Sequence, residues 1–423
     1  MKYGLEDKPA PAAFWLYGLQ WWIISLPCVV IMGVVVSRLH YDDLGAQVFY
    51  LQKLFGLTGL ATLAQILLGH RLPLVVGPAA ILLVGLTASQ AAGVAALYTA
   101  IGVGGAALAL AAACGFLGRL RFFFTPRVVS VILLLIAISL TPTILKMSLD
   151  TGSQPAFHLG FTLGLVLLMV LLNQILPGVW KSLTVLFGLL GGTFIYFLLT
   201  GFPGPLEYTG PREAVAILLP ELDFQAGTIL AFLFCMLALT INELGSIESI
   251  GQMLKVGDMD GRVRRGVLVC GLNNLAAGAA GVIGPVSFSL SAGIISATRC
   301  AARLTMIPAG LGLFFCAFFP EAVLLVSRLP GVVMGALLFY LMAAQLASGL
   351  GMLVGGACVS DFSSGLTVAL PVMTAILIAF SPPRIFADLP LLIRPIAGNA
   401  FIVGTLLVVF LEHVLFRKSS GQG

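Results

Sequence analysis

The sequence predicts an all-α polytopic membrane protein with about fourteen spans, arranged as two inverted repeats of seven. Three observations support this fold class: the composition, a succession of apolar runs, and two similar Gly-Pro elements half a chain apart. Of the 423 residues, 59% are hydrophobic and 9% are charged, whereas soluble domains carry about 25% charged residues. Because a soluble fold cannot bury so much apolar surface, lipid must cover part of the chain.

Apolar runs of roughly 15 to 25 residues, the length that a helix needs to cross a bilayer, recur along the whole chain. The period-two alternation that is typical of outer-membrane barrel strands is absent. The predicted spans lie near 14–38, 45–69, 73–86, 90–117, 127–149, 157–176, 180–201, 222–254, 264–282, 285–298, 301–319, 330–350, 362–381 and 397–416.

The distribution of positive charge predicts the orientation. With the amino terminus inside, fifteen of the 22 lysine and arginine residues fall on the cytoplasmic side. Positively charged loops stay in the cytoplasm, so we expect a multi-pass protein of the cell (cytoplasmic or inner) membrane with both termini cytoplasmic. The seven cysteines form no Cys-x-x-Cys pair, and no phosphate-binding or nucleophile–base motif occurs. We therefore predict no cofactor, no metal, no nucleic-acid partner and no enzymatic activity.

Two short apolar elements, 75–81 and 282–288, are alike, and their glycines Gly77 and Gly284 lie 207 residues apart. Each glycine is followed by proline, which donates no backbone hydrogen bond and disfavours helix in the residue before it. Both elements are therefore predicted to be broken spans with extended backbone at membrane depth, the third and tenth in order. Paired interrupted segments indicate a transporter's binding site; a chance match of a common dipeptide is the alternative.

Two carboxylates, Glu243 and Glu248, lie in one long apolar run. A carboxylate in hydrocarbon costs a few kcal/mol, so it usually faces a polar cavity on a substrate or proton path. At about 100° per residue, Glu248 and Gln252 share a helix face, whereas Glu243 points roughly 140° away. We predict that one acid faces a cavity and the other a helix–helix contact. If the helix leaves the membrane before Asn242, both acids are interfacial instead.

Several elements together resemble the nucleobase–ascorbate transporter family, also called nucleobase:cation symporter-2, which includes uracil and xanthine permeases. The similarity spans nearly the whole chain and keeps the family's order. The elements are Tyr-Gly-Leu-Glu-Asp-Lys-Pro at 3–9 with Gly-Leu-Gln at 18–20, Glu-Ser-Ile-Gly at 248–251, Gly-x-x-x-x-Thr-Arg at 293–299, and Pro-x-x-Val-Met-Gly at 330–335.

This resemblance implies a core (transport) domain of residues 14–117 and 222–320 and a gate domain of residues 127–201 and 329–416. It also implies short antiparallel strands in spans three and ten, with the substrate beside them. Transport would follow from an elevator-like movement of core against gate, in a homodimer that forms through the gate domain.

The resemblance also implies a site, in which Glu248 is the substrate-binding acid of the eighth span. The family's Gln/Glu-Asn pair falls here on Leu290 and Ser291, and leucine cannot hydrogen-bond a base edge, so the exact substrate is not predicted. The predicted substrate-binding residues are Glu248, Gln252, Ala80, Ser289, Leu290, Ser291 and Gln20, and the proton-coupling candidates are Glu248 and Glu243.

We therefore predict a secondary active transporter that couples a proton, or a sodium ion, to symport of a nucleobase-like (uracil, xanthine or purine type) or other small planar solute. A carboxyl group suits such a solute because it accepts hydrogen bonds when ionised and also donates one when neutral. Two alternatives stay open: an anion transporter on the same architecture, and a non-transporting membrane sensor or scaffold.

Overall fold

The computed structural model describes residues 2–116, 125–149, 154–202, 204, 221–288, 291–386, 388–390 and 392–416. The first half of the chain comprises α1 (Pro11–His40), α2 (Leu44–Leu67), β1 (Val75–Pro78), α3 (Ala80–Ala88), α4 (Val94–Ala113), α5 (Pro126–Ser139), α6 (Thr141–Leu149), α7 (Pro155–Ile175), α8 (Gly178–Ser182) and α9 (Thr184–Thr200). A 3₁₀ turn, Gln90–Ala92, precedes α4.

The second half comprises α10 (Ala226–Leu254), α11 (Met259–Ala280), β2 (Pro285–Phe288), α12 (Ser291–Thr298), α13 (Ile307–Cys316), α14 (Pro320–Ser327), α15 (Gly331–Gly355), α16 (Phe362–Ala379), α17 (Arg394–Ala397) and α18 (Ala400–Phe410). Shorter turns are the 3₁₀ segments Arg303–Met306 and Pro383–Phe386 and the π turn Leu411–Leu415. In each half, two long helices precede a strand, and a half-length helix comes next in the sequence. The predicted class, helical and polytopic with broken third and tenth spans, is confirmed.

Each of the fourteen predicted spans contains helix, although not every one is a single long helix. Seven helical segments in the described part of the chain are long and apolar enough to cross a bilayer; α5 and α6 together count as one of them. That fifth span is interrupted because Pro142 lacks the N–H that would continue the α5 hydrogen-bond ladder. The remaining predicted spans are shorter, interrupted or less apolar.

One helix was not predicted. The predicted span 301–319 was expected to be followed by a loop. Instead α14 follows it, at an angle of 86° to the Arg303–Cys316 segment. Pro320 is the first residue of α14, a position where the missing proline N–H costs nothing because it has no intrahelical partner. The helix continues the apolar pattern through Val323 and Leu324, both buried.

The two strands form an antiparallel pair in which Val75 lies opposite Phe288 and Pro78 lies opposite Pro285. Gly77 is required here, because a Cβ at this position would lie 2.7 Å from the ring of Phe288. Both strands are almost entirely buried, so extended backbone at this depth is satisfied by protein. The two Gly-Pro elements therefore pair with each other in the fold, as the family resemblance implied.

Small residues let the helices around the strand ribbon, the antiparallel pair of β1 and β2, approach one another closely. A Cβ on Gly271 of α11 would collide with the backbone of Ala109 in α4, and one on Gly278 would collide with the backbone of Gly102. Such small-residue contacts are the usual way for membrane helices to gain dispersion energy without a hydrophobic driving force.

The helices pack in two groups. In one group, α11 packs on α4 and α2, α13 packs on α2 and α1, and the strand ribbon lies among α1, α2, α10 and α11. In the other, α15 packs on α5, α6, α7 and α9, and α16 and α18 pack on α5. The groups meet where α10 contacts α17 and α18, α12 contacts α8, α1 contacts α9 and α15, and α3 contacts α5.

Candidate functional site

Helix α10 has two different faces in the region that carries the acids. Glu243 and Ser246 are fully buried, at 0% and 1% exposure, whereas Gly245 and Gln252 are exposed and Glu248 is half-buried. Positions 245, 248, 249 and 252 recur at the helical period, so they form one open stripe. The two carboxylates therefore lie in different environments, a result of the five-residue spacing between them.

Glu243 faces the strand ribbon and lies within a buried hydrogen-bond network. Its Oε1 accepts hydrogen bonds from Ser287 Oγ at 2.8 Å and from Gln65 Nε2 at 3.1 Å. Its Oε2 accepts one from the Ser287 backbone N–H at 2.7 Å. The donors come from β2 and α2, so this side chain joins three elements. The described hydrogen bonds to the carboxylate come from uncharged groups.

His70, in the turn after α2, extends this network. Its Nδ1 accepts a hydrogen bond from the Leu72 N–H at 2.9 Å, so the ring proton of the neutral imidazole is on Nε2. Nε2 lies 3.4 Å from Ser287 Oγ. The Ser287 hydroxyl can therefore accept a hydrogen bond from the imidazole while it donates one to Glu243. The imidazole is fully buried.

Ala80 and Ser291 begin the two half-length helices. Ala80 is half-buried, and no side chain caps the amino terminus of α3. Ser291 is buried; its Oγ accepts from the Val75 N–H at 2.9 Å and donates to the Phe288 carbonyl at 3.1 Å. Ser291 therefore ties α12 to both strands, whereas Ala80 leaves helix N–H groups near a partly open surface.

The other predicted residues are less closely grouped. Gln252 is exposed two residues before the end of α10, and Gln20 is half-buried in α1, where the neighbouring Gly18 lies against Pro308 of α13. Ser289 and Leu290 lie outside the described residues. Helix α10, which carries Glu248, contacts β2 and both half-length helices, α3 and α12, which begin at Ala80 and Ser291.

Two polar residues in this region were not predicted from the sequence, namely Gln65 and His70. Gln65 is 1% exposed in an apolar helix, and a polar residue in such a run is a usable signal. His70 follows the span and resembles an ordinary loop residue in sequence. Within the described part of the chain, no group of three or more His, Cys, Asp or Glu side chains could hold a metal ion.

Sequence comparison gives matches over most of the chain. The family model described as "Permease family" (Xan_ur_permease) matches residues 13–384. The uric acid permease PucJ of Bacillus subtilis is 27% identical over 387 residues, covering 86% of this chain and 84% of that protein. The nucleobase transporter PlUacP of Paenibacillus larvae is 26% identical over 406 residues, covering 91% and 90% respectively.

Solved structures share the fold at lower identity. The transmembrane domain of the cyanobacterial bicarbonate transporter BicA superposes with a TM-score of 0.61 at 18% identity, covering 86% of this chain and 95% of that domain. The inward-facing murine Solute Carrier 26 family member A9 anion transporter gives a TM-score of 0.61 at 16% identity, covering 97% and 70%. Likeness at this identity concerns the architecture alone.

Proposed function

This chain belongs to the nucleobase–ascorbate transporter family, whose model matches residues 13–384, and on that premise we propose that it carries an oxopurine such as urate or xanthine across the cell membrane. The observation that carries the proposal is that relatives named as uric acid permeases and a nucleobase transporter align along most of both chains. The proposed mode of transport is symport, with both termini cytoplasmic.

In this proposal Glu248 is the residue that recognises the base. It is half-buried on the open stripe of α10, so it is both accessible to a ligand and partly withdrawn from water. A carboxylate accepts hydrogen bonds from the N–H edge of a purine. The uncapped amino terminus of α3 at Ala80 offers N–H donors and a positive dipole end to a carbonyl oxygen of the same ring.

The remaining predicted residues differ in the role that we propose for them. Gln252 lies one turn from Glu248 on the same face and offers an amide. Ser291 positions the start of α12 through its bonds to both strands. Gln20, Ser289 and Leu290 stay proposals from sequence alone, and a leucine at 290 leaves one edge of the base without a side-chain partner.

We assign energetic coupling to a proton, with sodium as the alternative ion. Glu248 and Glu243 are the two candidate proton carriers, and accessibility favours Glu248, because a carrier must exchange its proton with the aqueous path. A proton on Glu248 would convert an acceptor to a donor, which links the protonation state to the way the base is bound.

We further propose that the two packing groups are the moving parts: residues 14–117 and 222–320 as core, and residues 127–201 and 329–416 as gate. The strand pair, α10 and α12 belong to the core; α10 contacts the gate at α17 and α18, and α12 contacts it at α8. Sliding of the core against the gate would carry the site across the membrane, in a homodimer that forms through the gate.

The test is uptake of radiolabelled urate and xanthine into proteoliposomes, with and without an inward proton gradient. Glu248→Gln is expected to abolish gradient-driven uptake. Thr240→Val is the matched control, since Thr240 is buried in the same helix and its hydroxyl donates to the Met236 carbonyl of the preceding turn at 2.7 Å. Normal coupled uptake by the Glu248 variant would remove the site assignment. Bicarbonate or chloride flux that ignores nucleobases would favour an anion carrier, and binding without flux would favour a sensor.

A further inference from the structure

We propose that Glu243 is a positioning residue that holds β2, and with it the start of α12, in the geometry that the substrate site requires. This inference rests on the proposed function, because the site beside the strands is part of that proposal. It assigns to the fully buried carboxylate a role different from that of Glu248 one and a half turns away.

Helix α10 completes the outer edge of β2 with side chains. The Ser287 N–H donates to Glu243 Oε2 at 2.7 Å, and the Ser287 carbonyl accepts from Ser246 Oγ at 2.9 Å. Both main-chain groups of Ser287 thus point away from β1, so its pairing with Val76 is a non-hydrogen-bonded pair of the ladder. Glu243 and Ser246, three residues apart, take the place of a third strand.

The network around Glu243 is arranged for an anion. The Ser287 N–H, the Ser287 hydroxyl and the Gln65 amide all donate to it. Gln65 cannot readily turn, since its amide group also donates to the Gly266 carbonyl at 2.9 Å. Charge-assisted hydrogen bonds of this kind are about twice as strong as neutral ones. Both oxygens of Glu243 accept hydrogen bonds, so these donors suit the ionised form, which only accepts.

The titratable and charged groups around the Glu243 carboxylate are themselves held by other hydrogen bonds, which fits a structural role for Glu243. From the turn after α2, His70 approaches Ser287 Oγ, and its Nδ1 is occupied by the Leu72 N–H. From α11, Cys270 lies against Glu243 and the Pro285 carbonyl. Arg262 binds the carbonyls of His70 and Arg71 at 3.0 Å, so it reaches the network only through the backbone.

Two further contacts secure the segment before Ser287. The Ile283 N–H donates to Tyr50 Oη at 3.1 Å, and Asn274 Nδ2 donates to the Pro285 carbonyl at 2.9 Å. Of the side-chain attachments that other helices make to this segment, those of Glu243 and Ser246 at Ser287 lie nearest to α12, because β2 ends one residue later at Phe288. Loss of the Glu243 attachment is therefore expected to free the end of the strand that leads to the site, while the beginning stays fixed.

The experiment compares Glu243→Gln, Ser246→Ala, Glu248→Gln and the control Thr240→Val in proteoliposomes. Glutamine has the shape of glutamate, but its NH₂ group meets the donors of Ser287 and Gln65, so it should release the strand. We expect Glu243→Gln to raise the KM for urate about fivefold or more, in gradient-driven uptake and in substrate counterflow alike. Hydrogen exchange of the Ser287 amide should accelerate about tenfold or more, as expected for the loss of a charge-assisted hydrogen bond.

Ser246→Ala should give a smaller change of the same kind, and Thr240→Val should give none. A Glu243→Gln variant that loses gradient-driven uptake but keeps counterflow with an unchanged KM would overturn the inference and make Glu243 the coupling site. An unchanged KM together with unchanged exchange of the Ser287 amide would overturn it as well. If the unaltered protein neither binds nor transports any nucleobase, the proposed function fails, while the exchange measurement still decides whether Glu243 holds β2.

Discussion

Arg303 donates hydrogen bonds to both carboxylate oxygens of Glu6, a residue 297 positions earlier in the chain. Its Nε lies 3.0 Å from each oxygen, and its Nη2 lies 2.8 Å from Oε2. The same guanidinium donates to the Ile66 carbonyl at the end of α2 at 3.0 Å. Backbone hydrogen bonds from Ala301 to Tyr3 and from Arg303 to Leu5 continue the contact. The amino-terminal segment is thus a strap over the turn that follows α12.

Glu6→Gln is expected to lower the thermal stability slightly. The hydrogen bond from Arg303 lowers the pKa of Glu6 from its usual value of 4.5. A depressed carboxyl pKa contributes stability that is present above about pH 4.5 and lost as the pH falls through the folded-state pKa. The side chain of Glu6 is 59% exposed, so solvent screening limits the effect to less than about 1 kcal/mol. Melting temperatures of both proteins in detergent should differ at pH 7 and converge under acid conditions. A difference that persists when Glu6 is protonated would contradict this account.

Gly284→Ala is expected to destabilise the protein by about 1–3 kcal/mol, the usual cost of overpacking a core. A Cβ here would collide with Asn274 Oδ1 and lie 2.9 Å from Leu82, and Asn274 also holds the Pro285 carbonyl. The check is thermal unfolding in detergent. Gly160→Ala is the control: apart from the backbone of its own helix, nothing in the described part of the chain lies within 4 Å of its added Cβ, and alanine is the better helix former. Equal melting temperatures for the two variants would refute the packing argument.

The strand pair shows which parts of the fold were predictable from sequence. Proline at 78 and 285 excludes regular helix by a local rule, so two broken spans followed directly, and their likeness indicated that they correspond. Their register depends on contacts such as Gly77 against Phe288, which no local pattern encodes. For the candidate site, helical spacing predicted that the two acids face different ways. The donors Gln65 and Ser287 come from positions 178 and 44 residues away, which spacing within one helix cannot reveal.

Glu412→Gln is expected to destabilise the second packing group by about 2 kcal/mol, the scale of a hydrogen bond to a charged group. Glu412 Oε2 lies 2.5 Å from Arg127 Nη1, and the two side chains are 14% and 21% exposed. Arg127 also donates to the Cys358 carbonyl at 2.7 Å, so it links the start of α5 both to the π turn Leu411–Leu415 and to the segment that follows α15. Glu321→Gln, at an exposed position in α14, is the control for removing a carboxylate. Melting curves that shift equally for both variants would show that the ion pair contributes nothing specific.

Binding can be separated from transport by ligand-induced stabilisation. A ligand at about 100 times its Kd stabilises the folded state by about 2.7 kcal/mol, which is a measurable rise in the melting temperature. We expect urate or xanthine to produce this rise in the unaltered protein and in Thr240→Val, and to produce none in Glu248→Gln. The melting temperature of each variant without ligand serves as its own baseline, so a change in stability caused by the substitution is separated from loss of binding. A full urate shift in the Glu248 variant would place the binding acid elsewhere. A rise with bicarbonate but with neither purine would redirect the search toward anions at the amino terminus of α3.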